Sequence, residues 1–312
     1  MQPGAAKGSF ESGKVTMVAV RLRWILAAIL LAAFIAARAL GAGVLYAVLL
    51  AILVLFALYA ALILVTFAIA WRRSSPAFPE QRTGSIALCG VIAAECLAYF
   101  ALFAVIQPFE TLFIAAAKPR PKPGTKPPVL LVHGYVCNRG VWWPLLTKLR
   151  SRGIAAEPVN LEPPYVSIDS FANQLNGSIE ALLSETQSEK LVLVTHSMGG
   201  LVARAYLKRY GGERVSKVVT LACDHHGTRL AYFGFGRNAR QMEPGSAWLC
   251  ELDKAARSAV PIVTVWSAHD NFIAPQVSGR LEGAREIVLH RLGHLSFVFS
   301  RRVLSILLQE LS

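Results

Sequence analysis

Leu191 to Gly200 reads LVLVTHSMGG. Four apolar residues of strand character run into Thr195, His196, Ser197 and Met198, and then into Gly199 and Gly200. A glycine pair is ordinary turn chemistry. The alternative is a serine nucleophile presented on a sharp turn between a strand and a helix. On that second reading Leu191–Val194 is the strand and Leu201–Tyr210 the helix. Gly199 then stands at the last glycine of G-x-S-x-G, where a side chain would crowd the turn, and Met198 supplies a backbone N–H that can face an oxyanion. Thr195 occupies the position of the first glycine, a departure from the motif.

The flanking sequence alternates in period. Val129–Val132, Ile154–Leu161, Val215–Leu221, Pro261–Trp266 and Glu286–Leu289 read as further strands. Val141–Arg150, Ile168–Leu183 and Phe297–Leu311 read as helices. The Ile168–Leu183 segment places Ile168, Phe171, Leu175, Ile179 and Leu182 or Leu183 on one helical face. Strands alternating with helices predict an α/β domain, a mostly parallel sheet of about six strands covered on both faces. Such sheets bind their ligands at the carboxyl ends of the strands.

A serine hydroxyl needs a base, and the base needs an orienting carboxylate. In strand–turn–helix sites of this type the order along the chain is serine, acid, histidine. The strand PIVTVWSAHD ends at Asp270, and REIVLHRLGHLS leads into a loop at His294. Ser197, Asp270 and His294 therefore form the candidate catalytic set. His196 neighbours the serine but points to the other face of its strand, which fits packing or a local hydrogen bond. His290 lies within a strand, and His225 and His226 come too early for the base, although they can line the site. Asp224 and Asp253 are the rival acids. The first strand ends LLVHGYVCNRG; its His133-Gly134 pair puts the N–H of Tyr135 where a second oxyanion donor belongs, beside that of Met198.

The first third of the chain has another character. Of all residues 54% are hydrophobic, above the usual globular share, and the excess is concentrated there. Residues 1–20 read as a polar, disordered tail. Apolar stretches follow at about 24–40, 44–71 and 85–106, within a membrane region spanning 21–116; the second holds no charge from Val44 to Trp71. A bilayer-crossing helix needs about 20 apolar residues. Three transmembrane helices are expected, with two as the alternative because the first stretch is short. Glu95, the one charge in the third, either faces protein or water inside a helix bundle or marks a span that is shallow or begins later. AKPRPKPGTKPP, residues 117–128, is a basic, Pro-rich linker, and 129–312 is the α/β domain.

The net charge is +13. Residues 1–126 carry 12 basic and 4 acidic side chains, beside the apolar stretches, so attraction to anionic lipid head groups is the simpler reading; no zinc-ligand array, phosphate loop or dense basic stripe points to nucleic acid. The five cysteines form no CxxC pair, and no metal or cofactor is expected. Cys89 and Cys96 are seven apart and share a helix face, as packing residues. Lys7, Lys14, Arg21 and Arg23 before the first stretch, and Arg72, Arg73 and Arg82 after the second, belong inside by the positive-inside rule. Three spans then place the α/β domain outside, in the periplasm of a bacterium, although Lys118, Arg120, Lys122 and Lys126 pull the other way.

The motifs LVHGYVCNRGVW, LVTHSMGGLVARAYL, LACDHHGTRLA, MEPGSAWLCELD and WSAHDNFIAP…GHLS together resemble the lipase/esterase branch of the α/β-hydrolase fold. The resemblance covers residues 128–312 and none of the apolar region. It implies a minimal α/β-hydrolase, metal-free hydrolysis of carboxylic esters, and at most a small lid around MEPGSAWL. Lipid esters and membrane lipids are the expected partners. An acyltransferase using the same residues, or a membrane interaction protein without turnover, are the alternatives.

Overall fold

The computed structural model describes residues 14–72, 84–117, 119–121, 126–254 and 259–312. Six strands form one sheet: β1 Val129–Val132, β2 Ala156–Pro158, β3 Leu191–His196, β4 Val215–Leu221, β5 Ile262–Ser267 and β6 Arg285–Leu289. Their order is β2-β1-β3-β4-β5-β6 and every pairing is parallel. All residues of β1 and β3 are buried. Continuous apolar runs are what a parallel sheet covered on both faces requires. The order reverses at β1, so the crevice at the carboxyl ends opens between β1 and β3.

The helices are α1 Met17–Ala39, α2 Val44–Arg72, α3 Ser85–Phe100, α4 Glu110–Ala116, α5 Trp143–Arg150, α6 Ile168–Thr186, α7 Met198–Tyr210, α8 Gly236–Gln241, α9 Ala247–Asp253 and α10 Arg301–Glu310. Between α3 and α4 the chain stays helical through a π segment, Ala101–Ile106, and a 3-10 turn, Gln107–Phe109. Ser167, Ser246 and Ser300 cap α6, α9 and α10 through their hydroxyls.

Several boundaries differ from the sequence expectation. Strand β2 is shorter, because Pro158 has no N–H and β1, its partner, ends at Val132. Helix α7 starts at Met198 and takes in both glycines. Helix α10 starts at Arg301, since Ser300 caps it and residues 295–299 form a separate 3-10 turn. The tail expected over 1–20 lies outside the described residues up to 13. Its last part is helical, because Thr16 caps α1 and Val18 is buried. The basic positions Lys7, Arg73, Arg82, Lys118 and Lys122 lie outside the described residues. Of the cysteine pair on α3, Cys96 is buried and Cys89 exposed.

Three helical stretches, Met17–Ala39, Val44–Arg72 and Ser85–Ala116, are long and apolar enough to cross a membrane. They do not stand apart from the sheet. Val18, Leu22, Leu102, Phe103 and Ile106 share one buried apolar cluster with Leu131, Trp142, Val194 and Phe297. The opposite face of the sheet is covered by α6 and α7 through a second cluster around Leu130, Phe171, Leu193 and Tyr206. Helix α7 lies so close to β4 that a Cβ at Gly200 would overlap Cys223 Sγ. Gly200→Ala is expected to destabilise the fold by about 1–3 kcal/mol, and Cys223→Ala in the same chain to recover most of that, as read from thermal unfolding.

Candidate active site

Ser197 sits between β3 and α7 with φ 55° and ψ −132°, a conformation few residues with a side chain adopt. Its neighbours make room for it. A Cβ at Gly134 would come 2.7 Å from Ser197 Cβ, and one at Gly199 would come 2.6 Å from the carbonyl oxygen of Val132. Thr195, in place of the motif's first glycine, is an in-register residue of β3 between Val132 and Thr220. It is fully buried, so the strand accommodates its side chain without disturbing the turn.

Asp270 follows β5 and His294 follows β6, at the same edge of the sheet as Ser197. His294 Nδ1 lies 2.9 Å from Asp270 Oδ2 and 3.1 Å from Oδ1. Asp270 Oδ1 also accepts the N–H groups of Phe272 and Ile273 at 2.8 and 2.9 Å, which fixes the carboxylate in the loop. With Nδ1 occupied, Nε2 is the ring nitrogen that can serve a hydroxyl. Burial works against a charged His294, but the charge and hydrogen bond of Asp270 outweigh it, with Glu95 and Asp224 acting the same way, so its pKa stands above the ordinary histidine value.

Other histidines have other partners. His133 donates from Nδ1 to the Gly134 carbonyl at 2.9 Å and accepts the Leu161 N–H at Nε2; burial lowers its pKa to about 4. His196 is buried, as expected, but its partner is distant in sequence: Nε2 donates to the His294 carbonyl at 3.1 Å. Burial lowers its pKa to about 3. His225 bonds Thr220 and faces Cys223. His226 faces Asp253, which pairs with Arg204. His290 lies beyond the end of the edge strand β6. Of the rival acids, Asp224 is buried, neither of its oxygens has a hydrogen-bond partner among the described residues, and burial raises its pKa to about 7.

Tyr135 lies in the loop after β1, next to Gly134 and hence beside Ser197. Its hydroxyl donates to the Phe235 carbonyl and accepts the Phe235 N–H, which ties the segment 232–235 to the loop after β1. Met198 opens α7. Among the described residues no group of three or more His, Cys, Asp or Glu side chains is placed to hold a metal.

The sequence did not disclose what holds these loops. Gln107 accepts the Asn138 N–H with its side chain and the Asn138 amide with its carbonyl, both at 2.9 Å. Asn138 also donates to Thr16, and Glu110 pairs with Arg139 at 3.3 Å. Asn271 donates to Thr66 of α2 at 2.8 Å and accepts the His294 N–H at 3.1 Å. Glu95 is completely buried and accepts from Leu295 N at 2.7 Å, Ser296 N at 2.9 Å and Ser296 Oγ at 2.7 Å. Glu95 therefore faces protein, but its partners belong to the loop after β6 and not to a helix bundle.

A family model described as alpha/beta hydrolase fold matches residues 127–243. The chain is similar to a triacylglycerol lipase of Pseudarthrobacter phenanthrenivorans, 30% identical over 118 residues, which are 35% of this chain and 36% of that protein. It is also similar to Lipase B of Pseudozyma antarctica, 31% identical over 167 residues and 48% of each protein. The chain thus spans less than half the length of the curated relatives it matches. Among solved structures, mature Bacillus licheniformis lipase BlEst2 aligns with a TM-score of 0.55 at 16% identity, covering 63% of this chain and 94% of that one. Aspergillus fumigatus lipase B aligns with a TM-score of 0.55 at 18% identity, covering 65% of this chain and 57% of that one. These likenesses show the fold, that of an α/β-hydrolase.

NMR titration of the histidine rings tests the charge assignments. His294 is expected to protonate above the ordinary value of about 6.5, while His133 and His196 stay neutral until the pH falls to about 4 and about 3.

Proposed function

We propose that this chain is a membrane-anchored serine hydrolase of carboxylic esters, with lipid esters as substrates. The reading is supported by a strained Ser197 turn after β3 and a buried Asp270–His294 pair, whose members follow β5 and β6, all at the carboxyl ends of one parallel sheet. Ser197 Oγ attacks the ester carbonyl carbon as His294 Nε2 takes the hydroxyl proton. The N–H groups of Tyr135 and Met198 face the oxyanion that forms. Collapse expels the alcohol, which leaves with the proton from His294, and an acyl-serine remains. Water then attacks the acyl carbon with His294 again as base, releasing the carboxylic acid and restoring Ser197. Asp270 orients the imidazole and stabilises its charged form.

The lipid reading rests on surroundings. Phe233 and Phe235, in the segment tied to the Tyr135 side chain, are 71% and 76% exposed. A cleft of about 250 Å³ beside Phe233 is lined by Arg229, Tyr232 and Phe233 together with Ile69 and Arg72 from the end of α2. Aromatic and arginine side chains side by side suit a membrane–water interface. The lipases to which the chain is similar support the same substrate class.

Helix packing favours two spans, though not the pair left by dropping the short first stretch: the third stretch is the one that rests on protein. Val91 and Cys96 pack with α2, and Ala98, Leu102, Phe103, Ile106 and Ala117 join the core of the α/β domain, with the polar side chains of Glu95, Gln107 and Glu110 buried between them. A helix so covered lies on the domain. Helices α1 and α2 then form the membrane hairpin, and both of its ends lie on one side. All the basic segments that gave opposing signals in the sequence fall on that side, which by the positive-inside rule is the cytoplasm. A C-terminal green fluorescent protein fusion is expected to fluoresce and an alkaline phosphatase fusion to stay inactive; the reverse pattern excludes this orientation.

For the chemistry, a fluorophosphonate probe is expected to label the wild-type membrane fraction and not Ser197→Ala. The substitution should also lower p-nitrophenyl ester turnover by at least about 10³-fold, with decanoate preferred over acetate in the wild type. Labelling that survives the substitution rejects Ser197 as nucleophile.

A further inference from the structure

We infer that Glu95 is a positioning residue for the histidine base, holding it from helix α3 through the turn that follows it. The inference rests on the serine hydrolase reading. Its basis is geometric. The turn Leu295–Phe299 begins at the residue after His294. Its first two N–H groups and the Ser296 hydroxyl all donate to one carboxylate, Glu95, located 200 and 201 residues earlier in the chain. The fit is tight on the other side as well: a Cβ at Gly293 would lie 2.7 Å from Glu95 Cδ. His294 is thus flanked by a residue pressed against Glu95 and a turn bonded to it.

A second link acts on the same residue. Thr66 of α2 receives the Asn271 amide, and Asn271 Oδ1 accepts the His294 N–H. Phe272, whose ring centroid is 5.1 Å from that of His294, packs against Ile63, Phe67, Val91 and Cys96 of the two helices. The acid loop and the base loop are therefore both seated on α2 and α3. An ordinary tether would leave these loops to the α/β domain alone.

Glu95 also acts by charge. The ionisable groups facing His294 are Asp270 after β5, Asp224 after β4, His196 at the end of β3 and Glu95. Ionised Glu95 is one of the influences that favour protonated His294, so its replacement by Gln moves the acid limb of activity to lower pH.

The test uses the full chain in detergent micelles: wild type, Glu95→Gln, Thr66→Val, Ser296→Ala and, as a control on the exposed side of α3, Leu97→Ala. Melting curves establish that each is folded. Fluorophosphonate labelling rates and the pH dependence of kcat and KM are then measured. Glu95→Gln is expected to lose roughly 10- to 100-fold in kcat and in labelling rate, with KM nearly unchanged and the acid limb shifted downwards. Thr66→Val and Ser296→Ala lose less, and Leu97→Ala matches the wild type. A folded Glu95→Gln with wild-type labelling and an unmoved acid limb overturns the proposal. If Glu95→Gln does not fold, wild-type rates in both Thr66→Val and Ser296→Ala overturn it. Wild-type protein that takes no label rejects the serine hydrolase reading itself, and the positioning role with it, a result distinct from the first.

Discussion

Ser197 has to hold its backbone at φ 55° and ψ −132°, and the arrangement around the site follows from that requirement. A residue with a side chain in such a region costs of order 1–3 kcal/mol, so the surroundings must over-determine it. They do so through absent side chains. Gly134 lets the loop after β1 close on the serine, Gly199 lets the turn close on β1, and Gly200 lets α7 settle on β4. Ser197 N–H is meanwhile bonded to Leu221 at 3.0 Å and its carbonyl to Gly200 N at 2.9 Å. The strain is thereby shared among three strands.

The same crowding sorts the histidines. His133, His196 and His294 are all buried, and burial alone disfavours the charged ring in each. Only His294 meets carboxylates. His133 and His196 are bonded to carbonyl oxygens and serve as neutral struts, the first between the β1 loop and Leu161, the second between β3 and the backbone of His294. One residue type thus does three jobs, and the partner decides which.

The sheet was readable in the sequence because its period and its strand ends are local signals. The apolar runs of β1 and β3, and the Asp270 and His294 positions at the ends of successive strands, could be located without tertiary information. Thr195 looked like a defect in the motif because sequence cannot show that β3 continues through it. The cap at Ser300 was a local signal too, but the apolar run Phe297–Val298 before it disguised the helix start. What could not be read were the partners of polar residues in apolar company. Glu95, Gln107 and Thr66 each stand in helices whose composition speaks of lipid, and each meets its partner 31 to 205 residues away. No spacing rule links such positions; only folding brings them together.

The separation of Glu95 from its donors has a consequence in time. A chain is made from its N-terminus at about 5–20 residues per second, so the roughly 200 residues between Glu95 and Ser296 take about 10–40 s to appear. Throughout that interval the carboxylate exists without the three donors that later surround it. Leaving it in hydrocarbon would be costly, whereas water solvates it at no such cost. The turn after His294 is thus what completes the surroundings of a side chain made some 200 residues earlier.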